Sequence, residues 1–208
     1  MFSWSNRLSS IITDAISILG LMAICYGASS YFLATKPSDM DISVKVKQLL
    51  KFNRLDYVRN YSPDRAAFVF DFDSNLTPLF HWNVKVLHVM LYAEYKTDSN
   101  ELNQVILWDD ILERKYLLEG RQSAHLRYGF LNGKYTLIDY GNELRDKTIT
   151  LKLRWNVVPY VGLLYDQEDV VGQYLLPKQY KRSGPERAKV VYDETYDEEL
   201  IRSHFSQQ

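Results

Sequence analysis

In the stretch FVFDFDS, Asp71 and Asp73 stand two residues apart. That spacing puts two carboxylates on one face of a β-strand, where one could act as acid and the other as base. No partner base, activated nucleophile or substrate pocket can be read around them, so solvation at a strand edge is the better account. The four histidines, His81, His88, His125 and His204, are dispersed, and His81 with His88 lacks the compact spacing of a zinc pair. No G-x-S-x-G elbow, H-E-x-x-H helix, phosphate-binding P-loop or G-x-G-x-x-G fingerprint occurs in the chain. The single cysteine, Cys25, rules out an internal disulfide and a cysteine-ligated structural zinc. The acidic run from Asp193 to Glu199 reads as a solvated surface rather than a metal site. The expectation is a chain with no catalytic residue, metal or cofactor of its own.

Composition narrows the class further. The chain has 208 residues, with 25 Lys and Arg against 26 Asp and Glu, for a net charge of -1. It therefore lacks the positive excess that phosphate-backbone binding requires, and nucleic acid is not an expected partner. Aromatic residues make up 14%, led by 16 Tyr and 9 Phe. Such a composition fits one packed, strand-rich domain with appendages.

The stretch Ala15 to Leu33, AISILGLMAICYGASSYFL, carries no charge. Its nineteen residues give roughly 28 Å of helix, against a hydrocarbon core of about 30 Å. Its Leu, Ile and Phe residues contribute on the order of -2 to -4 kcal/mol toward insertion. The run is longer than the apolar segment of a secretion signal, and its leading end carries Arg7 against Asp14. A retained transmembrane anchor is the leading reading. A cleaved signal, with Ala28, Ser29 and Ser30 as small residues for a peptidase, and a buried core helix remain alternatives. Gly20, Ala23, Gly27 and Ser30 form a stripe of small side chains on which another transmembrane helix could pack. Charge counting alone favours the downstream domain in the cytosol, since Lys36, Lys45, Lys47 and Lys51 follow the span and only Arg7 and the amino terminus precede it. Large domains translocate largely regardless of that bias, and two candidate N-glycosylation sequons begin at Asn60 and Asn75.

Beyond the anchor the periodicity changes from helix to strand. Ile42, Val44 and Val46 alternate with Ser43 and Lys45, and Phe68, Phe70 and Phe72 alternate with Val69, Asp71 and Asp73. In KTITLKLRW, Ile149, Leu151, Leu153 and Trp155 face one way and Thr148, Thr150, Lys152 and Arg154 the other. Val84 to Ala93 is apolar on both faces, which calls for cover on both. Further strands are expected at Gln104–Trp108, Val161–Tyr165 and Val170–Leu176, a tight hairpin turn at Asn132-Gly133, and a short helix or another strand at Glu113–Glu119. These elements predict an antiparallel sandwich. After Tyr180 the sequence turns charged and loses apolar periodicity, as a tail would.

Three ordered blocks carry a family resemblance: FHWNVKVLHVMLYAEY at 80–95, LNQVILWDDIL at 102–112 and LKLRWNVVPYVGLL at 151–164. Within them, Trp82, Asn83, Val84, Lys85 and Leu87, then Ala93, Glu94 and Tyr95, match a W-N-V-K-x-L strand ending in A-E-Y. Asn103, Gln104, Val105, Leu107, Trp108 and Asp109 match N-Q-V-x-L-W-D. Trp155, Asn156, Val157, Val158, Pro159 and Gly162 match W-N-V-V-P-x-x-G. The chain resembles the subunit 3 family of the signal peptidase complex, across roughly residues 10 to 180.

The resemblance implies a mainly β protein: a short cytosolic amino terminus (1–14), a transmembrane signal anchor (15–33), a linker (34–41) and a lumenal antiparallel β-sandwich domain (42–180); the charged tail (181–208) departs from the family, whose members usually finish near the point matching Tyr180. It implies a single-pass protein of the endoplasmic reticulum membrane and a non-catalytic role, stabilising and positioning a catalytic subunit that removes signal peptides. Its implied partners are that subunit, the other membrane subunits and the lipid bilayer. Trp82 and Trp155 are expected in the core, Trp108 and Pro159 as structural motif residues, and Asn83 and Asn156 as side chains that satisfy backbone groups where strands turn. The alternative from the residues alone is a membrane-tethered, lectin-like module presenting Tyr and Trp to sugars.

Overall fold

A computed structural model describes residues 3–32, 40–55 and 62–181. Its first element is helix α1, Trp4–Phe32. Ser3 caps it, its Oγ accepting from the Asn6 backbone N–H at 3.3 Å. Along the helix, polar side chains turn back onto the helix itself: Ser17 Oγ donates to the Thr13 carbonyl at 2.8 Å and Ser29 Oγ to that of Tyr26 at 2.7 Å. That is how hydroxyls are tolerated in an apolar medium. The apolar stretch from Trp4 to Ser30 is long enough to cross a membrane, and none of its most apolar window is buried. It is not the core helix of a soluble domain.

Among the described residues eight strands follow: β1 Ile42–Arg54, β2 Asp64–Asn75, β3 Val84–Tyr95, β4 Asn103–Glu113, β5 His125–Asn132, β6 Leu137–Asp139, β7 Thr148–Pro159 and β8 Tyr165–Leu175. A single 3-10 turn, Thr77–Leu79, separates β2 from β3, and a short helix α2, Arg114–Leu118, separates β4 from β5. All pairings are antiparallel. One sheet has the order β1-β2-β5 with β6 also on β2, and the other β4-β3-β7-β8. They enclose one core, to which the first sheet contributes Val44, Phe68, Phe70 and Phe72 and the second Leu87, Leu91, Leu153 and Trp155. Phe72 and Trp108 meet across it with ring centroids 5.2 Å apart. The antiparallel sandwich is therefore as expected, and the alternations in β2 and β7 name their inward residues.

Several local expectations fail, each for a physical reason. Val161–Tyr165 is not a strand of its own: Val161–Leu164 is the bend joining β7 to β8, because Gly162 adopts φ 115, a left-handed conformation, and Tyr165 begins β8. Asn132-Gly133 makes no hairpin turn. β5 and β6 lie in line along the same edge of β2, pairing with residues 69–75 and 64–66 of it, and Gly133 donates back to the Phe68 carbonyl at 3.1 Å. Val69, facing away from the core, is buried as well, between Gln48 and Asn132 on the flanking strands. Glu113–Glu119 resolves into the end of β4 and α2. Lys181 closes the fold, exchanging two backbone hydrogen bonds with Phe52 at 2.7 and 3.0 Å. Asn60, His204 and the acidic run after Asp193 lie outside the described residues.

Phe72→Ala is expected to lower unfolding stability by about 3–5 kcal/mol, because it empties a fully enclosed site. Asp71→Ala, on the exposed face of the same strand, is expected to change it by less than about 0.5 kcal/mol. Urea unfolding of the full chain in detergent, followed by tryptophan emission, measures both.

Candidate functional site

Where β7 ends, the chain must reverse into β8 beside the last turns of α1, and two motif residues, Gly162 and Asn83, determine how. Gly162 sits against Gly27 of the helix so closely that a Cβ on either would meet the other's Cα at 3.3 to 3.4 Å. Asn83, just before β3, is fully buried and locks the bend: its Oδ1 accepts from the Val161 N–H at 3.1 Å and its Nδ2 donates to the Val161 carbonyl at 2.7 Å. Its own carbonyl accepts from the Tyr160 N–H at 2.8 Å. The same Nδ2 donates to Ser30 Oγ on α1. One carboxamide thus pairs a loop backbone and ties it to a helix hydroxyl.

Trp82 departs from its expected place in the core. It is 42% exposed and stands edge-on to Tyr26 of α1, with ring centroids 3.9 Å apart. Trp155 and Trp108 are buried as expected. Asn83 does what was expected of it, whereas Asn156 lies mid-strand, opposite His88 and Asp166, away from any turn. Pro159 ends β7 opposite Val84. Beside the junction, Arg114 Nη1 donates to the His81 carbonyl, and burial, followed by the Arg114 charge, holds the His81 imidazole below its usual pKa. The small-residue stripe is divided: Gly27 and Ser30 pack on the chain's own β-domain, while Gly20 and Ala23 stay exposed.

The second candidate is β3, apolar on both faces in the sequence. Leu87, Val89, Leu91 and Ala93 line the core. On the other face, Tyr92 is buried under charged side chains from β7 and β8 rather than under a loop, helix or partner. Its hydroxyl donates to Glu168, Lys152 Nζ donates to Glu94 at 2.9 Å and to Glu168 at 3.3 Å, and Arg154 pairs with Asp166 at 3.2 Å while lying over the Tyr92 ring. Burial, then the Glu168 bond, pushes the Tyr92 hydroxyl up to about 12. The Tyr92 bond first, and then Lys152, holds Glu168 below the usual carboxylate range, and bonds from Gln104 and then Lys152 do the same for Glu94. The Glu94 bond raises Lys152 in turn. Intramolecular cover of an unforeseen kind therefore closes over Tyr92, while Val86 and Met90 on the same face stay half-buried.

The remaining candidates do not assemble into chemistry. Asp73 is engaged by His125 Nε2 at 2.6 Å and Arg127 Nε at 3.3 Å, and the His125 bond holds its carboxyl below the usual range. An ion-paired Asp73 is a poor general base, and Asp71 on the exposed face brings it no nucleophile. His88 lies 3.6 Å from Asp109 on the neighbouring strand, far from His81 in the sheet register. No group of three His, Cys, Asp or Glu able to hold a metal occurs among the described residues. An open hollow of about 320 Å³ is lined by Glu94, Lys96, Glu101, Thr148 and Gln173 among others. Its one aromatic, Tyr95, is buried, and the exposed Trp82, Tyr135, Tyr140 and Tyr160 all lie outside it, so it presents no aromatic face for a sugar. Asn75 Oδ1 accepts from the Thr77 N–H at 3.1 Å, closing the turn after β2.

Asn83→Leu keeps the volume but strips Val161 of two partners, and is expected to cost about 1–3 kcal/mol in urea unfolding. Gly162→Ala meets both the positive φ and the Gly27 backbone, and is expected to broaden the distance distribution between spin labels on α1 and β7. The charged lattice gives a pH signature. Lowered folded-state pKa values for Glu94 and Glu168 mean that their contribution is complete above the ordinary 4.5 and is lost as the pH falls through the lowered values. The raised values of Lys152 and Tyr92 contribute below the ordinary 10.5 and 10.0 and are lost as the pH rises through the folded ones. The contribution of the lattice to the urea midpoint is thus expected to be level through neutrality and to drop below pH 4.5, a drop that is shallower in Glu168→Gln, while His81, held below its ordinary 6.5, already takes stability away as the pH falls below that value.

Comparison with known proteins covers both the helix and the sandwich. A family described as Signal peptidase subunit matches residues 1–179. Proteins named Signal peptidase complex subunit 3 are similar to the chain over most of both lengths. That of Drosophila melanogaster is 36% identical over 161 residues, 76% of this chain and 85% of its own. That of Dictyostelium discoideum is 31% identical over 183 residues, 88% and 98%, and that of Homo sapiens 34% over 167 residues, 76% and 84%.

Proposed function

The chain belongs to the signal peptidase subunit family, and we propose from that premise that it serves the signal peptidase complex as a non-catalytic structural subunit. In this reading it stabilises and positions a catalytic subunit for removal of N-terminal signal peptides from proteins entering the endoplasmic reticulum. The observation that carries the proposal is the extent of the family match, which takes in the anchor, the Asn83 junction and both sheets.

The same reading gives the chain one pass through the endoplasmic reticulum membrane, with its amino terminus cytosolic and its β-domain lumenal. The sequon at Asn75 supports that orientation over the lysine count. Retention of α1 is supported by Ser30 and Gly27, which are built into the β-domain and would be lost with a cleaved signal. Gly20 and Ala23, left open on α1, are the positions at which another membrane subunit's helix can approach closely. A lectin-like role has no comparable support.

A mild-detergent pull-down of the tagged full-length chain, with partner identification and a cleavage assay on the eluate, tests the proposal. The expected result is a serine-protease subunit recovered together with signal-peptide cleavage, and none from the chain purified alone. Gly20→Leu with Ala23→Leu is expected to reduce that recovery severalfold without changing the unfolding midpoint. A solitary, inactive chain under conditions that keep membrane complexes intact would refute it.

A further inference from the structure

We propose that the β-domain makes a second contact with the bilayer: the bend between β7 and β8, Tyr160 to Leu164, is immersed in the lipid interface beside α1. The bend carries no charge between Pro159 and Asp166, and its sequence is YVGLLY. Leu163 is 89% exposed and Leu164 63%, while Tyr160 and Val161 are open to a lesser degree. Two leucines so bare on a packed domain require an apolar neighbour.

The Gly27–Gly162 contact says which neighbour. Gly27 lies within the uncharged run, roughly 8 Å of helix rise before the end of α1 at Phe32. Seating the hydrocarbon core on Ala15–Leu33 therefore carries Gly162 below the lipid surface on the domain's side. That depth matches the roughly 5–10 Å at which interfacial elements settle. Sliding the core the other way, until Gly27 reached the surface, would pull Asp14 into hydrocarbon from the opposite side, which a carboxylate resists.

The backbone at the start of the bend, Tyr160 and Val161, is prepared for that environment. Irregular backbone is tolerated near lipid only when its polar groups find partners within the protein. Asn83 supplies them to Tyr160 N–H, Val161 N–H and the Val161 carbonyl, and its surplus donor goes to Ser30 rather than to water. Trp82 and Tyr26, stacked edge-on at the same level, and Tyr160 beside them are the amphipathic aromatics that favour the headgroup boundary. The anchor and the bend would together hold the sandwich at two points, fixing its tilt as well as its distance from the membrane.

The full-length chain with Cys25→Ser and Leu163→Cys, labelled with an environment-sensitive fluorophore and reconstituted in phosphatidylcholine vesicles, tests this directly. Glu101→Cys, in the β3–β4 loop at the opposite end of the domain and 94% exposed, is the reference site. The expected result is blue-shifted emission at Leu163 and several-fold stronger quenching by lipids spin-labelled at a shallow acyl position than at Glu101. Near-equal quenching at the two sites, with unchanged near-ultraviolet circular dichroism, overturns the proposal. Because the chain is assayed alone, either result is independent of whether it assembles with a protease.

Discussion

The carboxamide of Asn83 is the interaction on which the arrangement of this molecule depends. A strand-rich domain and a lone apolar helix share no hydrophobic reason to keep one orientation, because the helix presents its apolar surface outward all round. What relates them is a polar contact between the start of β3, the end of β7 and the last turns of α1. A buried amide with its partners supplied is specific in a way that apolar packing is not, since misplacement leaves donors and acceptors unpaired. The two glycines allow it, because only bare Cα atoms let Gly27 and Gly162 approach so nearly.

The rest of the sandwich serves that junction from behind. β3 and β7 are neighbours at the centre of their sheet, so both ends of the Asn83 bracket lie directly beyond two paired strand ends, next to a register shift between Val84 and Val86. The outer face of that sheet is stiffened by Lys152, Arg154 and Glu168 over Tyr92, whose charges satisfy each other while their aliphatic stems cover the ring. Such a scaffold can hold a partner in position, which accords with the proposed structural role.

Much of this was legible in the sequence where a single periodicity governed. The alternation of β7 named Ile149, Leu151, Leu153 and Trp155 as core, and all four are buried. The uncharged run named the helix. Legibility failed where a residue's place is set by something distant in the chain. Trp82 reads as a core anchor because tryptophan is large and apolar, yet Tyr26, far upstream, draws it to the junction. The Val161–Tyr165 segment has strand composition, and only the positive φ of Gly162 at the helix contact turns Val161–Leu164 into a bend. The double-sided β3 called for cover on both faces without saying which residues supply it, because charged residues on β7 and β8 read individually as solvated and their convergence on Tyr92 is a matter of register. The motif residues were visible from the start, and Asn83 was expected to satisfy backbone groups. That it would also reach Ser30 had no signal in spacing.

The central claim is that this chain supports catalysis by holding structure and not by contributing chemistry. The most direct measurement is the cleavage rate of a signal-peptide substrate by complexes assembled with Asn83→Leu, divided by the amount of catalytic subunit recovered in them. The account predicts less complex recovered and an unchanged rate per catalytic subunit. Full recovery with a depressed rate per catalytic subunit would contradict it.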